Sequence, residues 1–322
     1  MRGPETGSAE IGSAGMRGAG ARGAARRRLC AAAAVLGLLA LTGCGQEGTP
    51  EGAGDGAGDG GEAPEYEVAD GVELSGSPTW EAADEAGRLR IGVKFEEPGL
   101  GSMSTGAEAP EGFDIEIAKI AAGRLGFAPD EIEWIETVTP NRETFLQSGN
   151  VDLVVGTYTI TDERREVVDF AGPYYVAGQD LLVAADSDIR GPEDLTGRTV
   201  CATDGSTPGQ RIAAEHPEAE LVAYDSAALC YEQLQAGAVE AVTTDDAMLR
   251  GFAAMDPESF AVVGRPFSEE PYGIGLPKGD DVLREALNDA IESAVDEGDW
   301  EAAFAHTLGD SSGVRTPVVD RY

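Results

Sequence analysis

The sequence predicts an α/β protein built as two lobes. Short β-rich runs alternate with amphipathic helical stretches, this rhythm restarts after Gly178, and the last two helices have no strand behind them. Units of roughly 20 to 30 residues in this alternation imply βαβ connections and therefore mostly parallel sheets flanked by helices.

Leu89-Arg90-Ile91-Gly92-Val93 is the first β-rich run. Asp114 can cap a helix whose apolar residues Ile117, Ile120, Ala121 and Leu125 fall on one face. Ile132 to Ile135 reads as the second strand. Thr139 as cap and Pro140 at the first helical position open a helix that Gly149 closes. Val151 to Val155 is the third strand, and it runs into the polar turn Gly156-Thr157-Tyr158-Thr159. After Gly178, strands are expected at Leu181 to Ala184, Thr199 to Ala202, Leu221 to Tyr224, Ala241 to Thr244 and Phe260 to Val263. Helices fall near Pro208 to Glu215, Ser226 to Ala236 and Asp246 to Ala253, and the closing pair spans about Asp281 to Asp296 and Asp299 to Leu308. Ligands of open α/β sheets sit beyond the carboxyl ends of the strands. The turns after Val93, Val155, Ala202 and Thr244 are therefore the places to look for function.

The chain before the first strand is of another kind. Arg22, Arg26, Arg27 and Arg28 precede an apolar run from Leu29 to Leu41, the pattern of a secretory signal. The run is short for a membrane-spanning helix. Leu41-Thr42-Gly43-Cys44 looks like a bacterial lipobox, so residues 1–43 are expected to be removed and Cys44 to carry lipid, with Met16 an alternative start. Residues 44–79 are Gly, Asp, Glu, Ala and Pro with hardly a large apolar side chain, and cannot repay their own ordering entropy. They read as a disordered tether. Gly56, Gly58 and Gly61 spell GxGxxG there, but with no strand before and no helix after they are no dinucleotide fingerprint.

The first 43 residues hold six of the 23 basic side chains and two of the 59 acidic ones, so the remaining 279 carry 17 against 57, a net −40. Phosphate binding needs clustered cations, and this balance excludes a nucleic-acid partner from the expectations. His216 and His306 are the only histidines, and no Cys/His cluster has metal spacing. Neither a metal site, a cofactor nor a histidine-centred triad is expected.

Several segments then fall into one pattern: Gly112-Phe113-Asp114, Gly156-Thr157-Tyr158-Thr159-Ile160-Thr161-Asp162-Glu163-Arg164-Arg165, and Val168-Asp169-Phe170-Ala171-Gly172-Pro173-Tyr174-Tyr175. Together they resemble the polar amino-acid-binding proteins of bacterial ABC importers, extracellular solute-binding protein family 3, over about Trp80 to Gly309. Val176 to Val183 and Val242-Thr243-Thr244-Asp245-Asp246-Ala247 are similar to its glutamate-binding lipoprotein branch. The resemblance implies a type II periplasmic-binding-protein-like fold with two hinge strands, Tyr174 to Gly178 outward and Glu270 to Gly273 on return. Lobe 1 would then comprise 80–175 and 271–310, lobe 2 would comprise 176–270, and 311–322 would be a tail. It also implies a monomer on the outer face of the cytoplasmic membrane, delivering a free amino acid to permease subunits.

Residue chemistry agrees. An amino acid buried between lobes needs a fork of donors for its α-carboxylate and an acidic acceptor for its ammonium, because either charge left unpaired costs several kcal/mol. Arg164 supplies the fork, and in the family the arginine of this motif does so with the backbone N–H at Thr159. A solvated pairing of Arg164 with Glu163 or Asp162 is the bland alternative. Gly205-Ser206-Thr207 ahead of Pro208 offers helix N-terminal N–H groups to a carboxylate, or is simply a capping turn. Asp245 is either a plain N-cap or, as its family counterpart implies, the ammonium acceptor with the Thr157 carbonyl and the Thr159 hydroxyl. Lys94, one of only three lysines with Lys119 and Lys278, and Arg142 match basic contacts to a side-chain carboxylate in acidic amino-acid binders of the family. Thr139 stands where glutamine-type and basic-amino-acid-type members place an aromatic clamp, a departure that disfavours flat or aliphatic-rich ligands. Glutamate is thus the expected ligand, with aspartate and glutamine as alternatives.

Cys201 and Cys230 remain once Cys44 is modified. Export favours a disulfide over two buried thiols, and the glutamate-binding branch has such a bridge in its second lobe. Two rivals stand beside a binding protein. Cyclohexadienyl-type dehydratases use the same fold but need a general acid at the reacting group, and the four turns offer none beyond Asp245 and Asp246. A sensor would need a membrane helix and a signalling module after the lobes, where the chain has a short polar tail ending at Tyr322.

Overall fold

A computed structural model describes residues 63–312 and 314–322. The leader, Cys44 and the tether up to residue 62 lie outside the described residues.

Helix α1 (Pro78–Ala86) comes first, capped by Ser77, whose hydroxyl accepts the Trp80 N–H at 3.1 Å. Strands β1 (Leu89–Val93), β2 (Glu96–Glu97) and β3 (Gly101–Ser102), helix α2 (Phe113–Arg124) and strand β4 (Ile132–Glu136) follow. Next are α3 (Arg142–Gln147), β5 (Leu153–Val154), α4 (Asp162–Arg165) and the long β6 (Asp169–Ala177). The middle of the chain forms β7 (Gln179–Ala184), β8 (Thr199–Thr203), α5 (Thr207–Glu215), β9 (Glu220–Tyr224), α6 (Ala227–Gln235), β10 (Ala241–Asp245), α7 (Asp246–Met255) and β11 (Phe260–Val262). Strand β12 (Glu270–Leu276) and helices α8 (Asp281–Glu297) and α9 (Asp299–Thr307) close the fold.

Two five-stranded sheets result, in the orders β4-β1-β5-β12-β6 and β11-β7-β10-β8-β9. Each is parallel where βαβ units build it, β1 with β4 and β5, β8 with β9 and β10. The other pairings are antiparallel: β12 with β5 and β6, β7 with β10 and β11. The parallel reading of the sequence thus applies to half of each sheet. The reason is connectivity, since β6 passes straight into β7 without a crossover helix and β12 returns from the other sheet. β6 and β12 lie side by side with Glu270 opposite Ala177 and Tyr272 opposite Tyr175, and they are the two crossings between the lobes.

The first sheet packs on an aromatic knot. Phe113 meets Phe304 at 5.4 Å and Trp300 at 5.9 Å between ring centroids, both edge-on. The Trp300 indole N–H donates to the Tyr174 carbonyl at 2.8 Å, so α9, though last in sequence, is fastened to the outward crossing. Burying each such ring contributes about 1.5–3 kcal/mol. In the second lobe Leu181, Val183, Val200, Ile212 and Ala241 form a separate core. Cys201 on β8 and Cys230 on α6 are joined as a disulfide.

Local assignments shift in three places. The residues 66–77 given to the tether are laid against the first lobe: Tyr66, Val72 and Leu74 pack on the core and the Ala69 N–H donates to the Gly123 carbonyl at 2.9 Å. Gly123 makes this approach possible, for a Cβ there would stand 2.6 Å from the Glu67 carbonyl oxygen. Asp114 does not cap α2; Gly112 occupies the cap position at φ 127° and the Asp114 carboxylate points inward. Thr139 begins a 3-10 turn (Thr139–Asn141) that runs into α3 instead of capping a helix, because its hydroxyl is engaged by Lys94 at 2.6 Å. Among the described residues no helix is long and apolar enough to cross a membrane, and no His, Cys, Asp or Glu cluster could hold a metal ion.

Replacing Cys201 and Cys230 together by alanine reopens a loop with a sequence separation of 29. In the chain-entropy model this lowers stability by about 3.5 kcal/mol, and urea unfolding of both proteins should show the midpoint fall and the slope rise, as the unlinked unfolded chain exposes more surface.

Candidate functional site

The carboxyl ends of β1, β5, β8 and β10 face one another, and between them lies a small cavity. Glu97, Thr139, Arg142, Thr157, Thr159 and Arg164 line it from the first lobe, and Thr203, Ser206, Thr207, Pro208, Thr244, Asp245 and Met248 from the second. Its free volume is about 20 Å³, room for about one water.

Two guanidinium groups share one wall. Arg142 sits 4.2 Å and Arg164 5.1 Å from the centre of the buried Tyr158 ring, which offers its negative face to both. Arg142 donates through Nη1 to the Gly156 and Thr157 carbonyls at 3.2 and 3.1 Å and through Nε to the Thr139 carbonyl at 3.3 Å. Arg164 donates to the Thr159 carbonyl at 2.7 Å and, across the cleft, to the Gly205 carbonyl at 2.9 Å. Its ion-pair partner is Glu143, 3.4 Å away, not Glu163 or Asp162. Burial, with the adjacent Arg142 charge, brings Arg164 down to about 10. Two cations held this close to one cavity favour an anionic group there.

On the facing wall Asp245 ends β10 and stands at the cap position of α7, yet its side chain makes no capping bond. One carboxylate oxygen accepts the Tyr272 hydroxyl at 2.6 Å, and the other is buried with no hydrogen-bond partner. Burial first, then the nearby Glu270 carboxylate, pushes Asp245 up to about 8. A buried acceptor with a free oxygen, opposite an arginine fork, is a receptor for a group that carries protons. Ser206 does perform the capping role, accepting the Gly209 N–H at 3.1 Å. Thr207 turns its hydroxyl to Glu270 at 2.6 Å and to the Thr159 hydroxyl at 3.3 Å.

Thr157 has φ 45°, a left-handed conformation that is rare for a β-branched residue. Asp114 holds it there, accepting the Thr157 N–H at 2.8 Å and, on its other oxygen, the Tyr174 hydroxyl at 2.8 Å. Burial pushes the Asp114 carboxyl up to about 7 against the pull of these donors.

Lys94 departs from expectation. It is 2% exposed but does not line the cavity: its ammonium donates to the Thr139 hydroxyl and pairs with Glu97 at 3.4 Å. Burial pulls it below the ordinary lysine value, against the attraction of Glu97. Three residues along the same turn, Glu97 takes the place in the cavity wall, with its other oxygen accepting the Thr157 hydroxyl at 3.2 Å. Lys119 and Lys278, in the first lobe, pair with Glu116 at 2.7 Å and Asp169 at 2.8 Å. Glu270, buried on the return crossing, is a further polar residue beside the site, accepting the Thr207 hydroxyl at 2.6 Å and the Ser268 hydroxyl at 2.7 Å. Its signal in the sequence was its position at the start of the return strand.

Comparison with known proteins accords with this geometry. Residues 89–310 match the family of bacterial extracellular solute-binding proteins, family 3. The chain is similar to a glutamate-binding protein of Corynebacterium efficiens, 36% identical over 300 residues covering 89% of this chain and 92% of that one. It is equally similar to a glutamine-binding protein of Geobacillus stearothermophilus, 37% identical over 250 residues, 77% of this chain and 90% of the relative. Among solved structures, the solute receptor for L-cysteine of Neisseria gonorrhoeae superposes with a TM-score of 0.68 at 31% identity, over 71% of this chain and 93% of the receptor.

The Asp245 geometry has a measurable consequence. A carboxyl at about 8 in the folded protein and about 3.9 when unfolded binds an extra proton in the folded state between those values. Stability should therefore fall as pH rises through that window, with Asp114 acting in the same sense. Denaturation across pH 4 to 8 should show this slope, and Asp245→Asn should flatten it.

Proposed function

Because the chain belongs to the bacterial extracellular solute-binding proteins of family 3, we propose that it captures a free L-amino acid of the glutamate and glutamine class between two lobes and delivers it to the permease of an ABC importer. Solute-binding proteins of this family bind amino acids and work with such permeases. The observation that carries the reading is the unpartnered buried oxygen of Asp245, which lines the same cavity as the arginine fork from the opposite lobe. The relatives, named for glutamate and glutamine binding, support the ligand class.

In this reading the α-carboxylate lies on Arg164, the Thr159 N–H and the first turn of α5 at Ser206 and Thr207. The ammonium lies on Asp245, the Thr159 hydroxyl and the Thr157 carbonyl. The side chain points to Arg142 and Thr139, with Lys94 acting from behind through Glu97 and Thr139. Lobe 1, formed by residues 80–175 and 271–310, closes on lobe 2, residues 176–270. The protein acts as a monomer held by lipid on Cys44 at the outer face of the cytoplasmic membrane, and as a binder rather than an enzyme.

Titration calorimetry of the mature protein against the twenty amino acids tests the reading. Saturable binding of glutamate, glutamine or both is expected, with Arg164→Ala weakening it by about 2 to 5 kcal/mol while the far-UV spectrum is unchanged. Binding of none of the twenty would overturn it.

Cys44→Ala should release the protein from the membrane fraction or leave an uncleaved precursor, since a single chain or none anchors poorly. Fractionation of cells expressing both forms would show the difference, and wild-type protein found free and unlipidated would remove the anchor.

A further inference from the structure

We propose that Glu97 sets ligand specificity, by turning the side-chain end of the cavity into a donor and acceptor pair that selects a carboxamide over a second carboxylate. The proposal rests on the amino-acid reading and narrows it to glutamine.

Four ionisable residues line the cavity: Arg142, Arg164, Glu97 and Asp245. A bound amino acid's α-carboxylate and ammonium are answered by Arg164 and Asp245. Arg142 and Glu97 remain for the side chain, one a donor and one an acceptor. Glu97 is 3% exposed and is fixed from two sides, by the Lys94 ammonium at 3.4 Å and by the Thr157 hydroxyl at 3.2 Å. Each of its oxygens has one such partner and so retains a lone pair for a further N–H. Arg142 has Nη1 and Nε committed to carbonyls, whereas its Nη2 makes no hydrogen bond among the described residues.

A carboxamide satisfies both groups, its oxygen accepting from Arg142 and its NH2 donating to Glu97. A carboxylate satisfies only the arginine and brings like charge against Glu97 among buried side chains, where such repulsion is weakly screened. Lys94 offsets part of the Glu97 charge but gives the ligand no donor of its own, because its ammonium is taken up by Glu97 and Thr139. The two cations that made glutamate the expectation from sequence are thereby reduced to one facing the ligand.

Calorimetry with glutamine, glutamate and the γ-methyl ester of glutamate on the wild-type mature protein reads the inference directly. Glutamine should bind at least about 10-fold more tightly than glutamate, and the ester, uncharged but without the NH2 donor, should also lose about 10-fold. Glu97→Gln should narrow the glutamine-to-glutamate ratio by about 10-fold, chiefly through tighter glutamate binding. Wild-type preference for glutamate, or an ester that binds as well as glutamine, would overturn the role even if the variant failed to fold. Equal weakening of both ligands in Glu97→Gln would assign Glu97 to the ammonium and overturn it as well. Binding of another amino acid alone would sink this inference and leave the general reading standing, whereas binding of none would remove both.

Discussion

Asp114 accepts the Thr157 N–H through one oxygen and the Tyr174 hydroxyl through the other, each at 2.8 Å, so one buried carboxylate joins the start of α2, the turn beneath the cavity and the outward crossing strand. The contacts that Arg142 and Glu97 make with the Thr157 turn depend on that junction. With Thr157 held at φ 45°, its carbonyl turns to Arg142 and its hydroxyl to Glu97. Strain of about 1–2 kcal/mol at such a residue persists only where the surroundings over-determine it, and here a carboxylate, a guanidinium and a second carboxylate do so together.

The same economy appears across the cleft. Tyr272 on the return crossing holds one oxygen of Asp245, and its ring lies 5.6 Å from Tyr175 of the outward crossing. The two crossing strands therefore do more than connect: through Tyr174 and Tyr272 each positions one acid, one behind the cavity wall and one in it. Electrostatics and hinge geometry are one construction.

Much of this was legible in the sequence. The alternation of strands and helices gave both sheets because parallel units repeat apolar runs at regular spacing, and Arg164, Arg142, Thr157, Thr159, Ser206, Thr207, Thr139 and Asp245 do line a common cavity. What was not legible has local causes. Lys94 follows β1 and Glu97 lies three residues on, in β2, and which of them faces the ligand depends on the turn between these strands, which no periodicity encodes. Ser77-Pro78 is a readable helix start, but the acidic, glycine-rich composition around it hid both α1 and the three apolar residues that fix the preceding segment. Asp114 looked like a cap because a cap and a buried anchor share one residue type at the same offset from a helix.

Lysine placement governs how the molecule can be handled chemically. The chain has three lysines; Lys94 is sealed inside, and the side chains of Lys119 and Lys278 are 26% and 48% exposed, both on the first lobe. Amine-directed reagents can thus reach the folded domain's side chains on that lobe alone. Coupling through amines to a sensor surface would grip one lobe and leave the other free, whereas a dye pair spanning the cleft would require thiol or other chemistry introduced into the second.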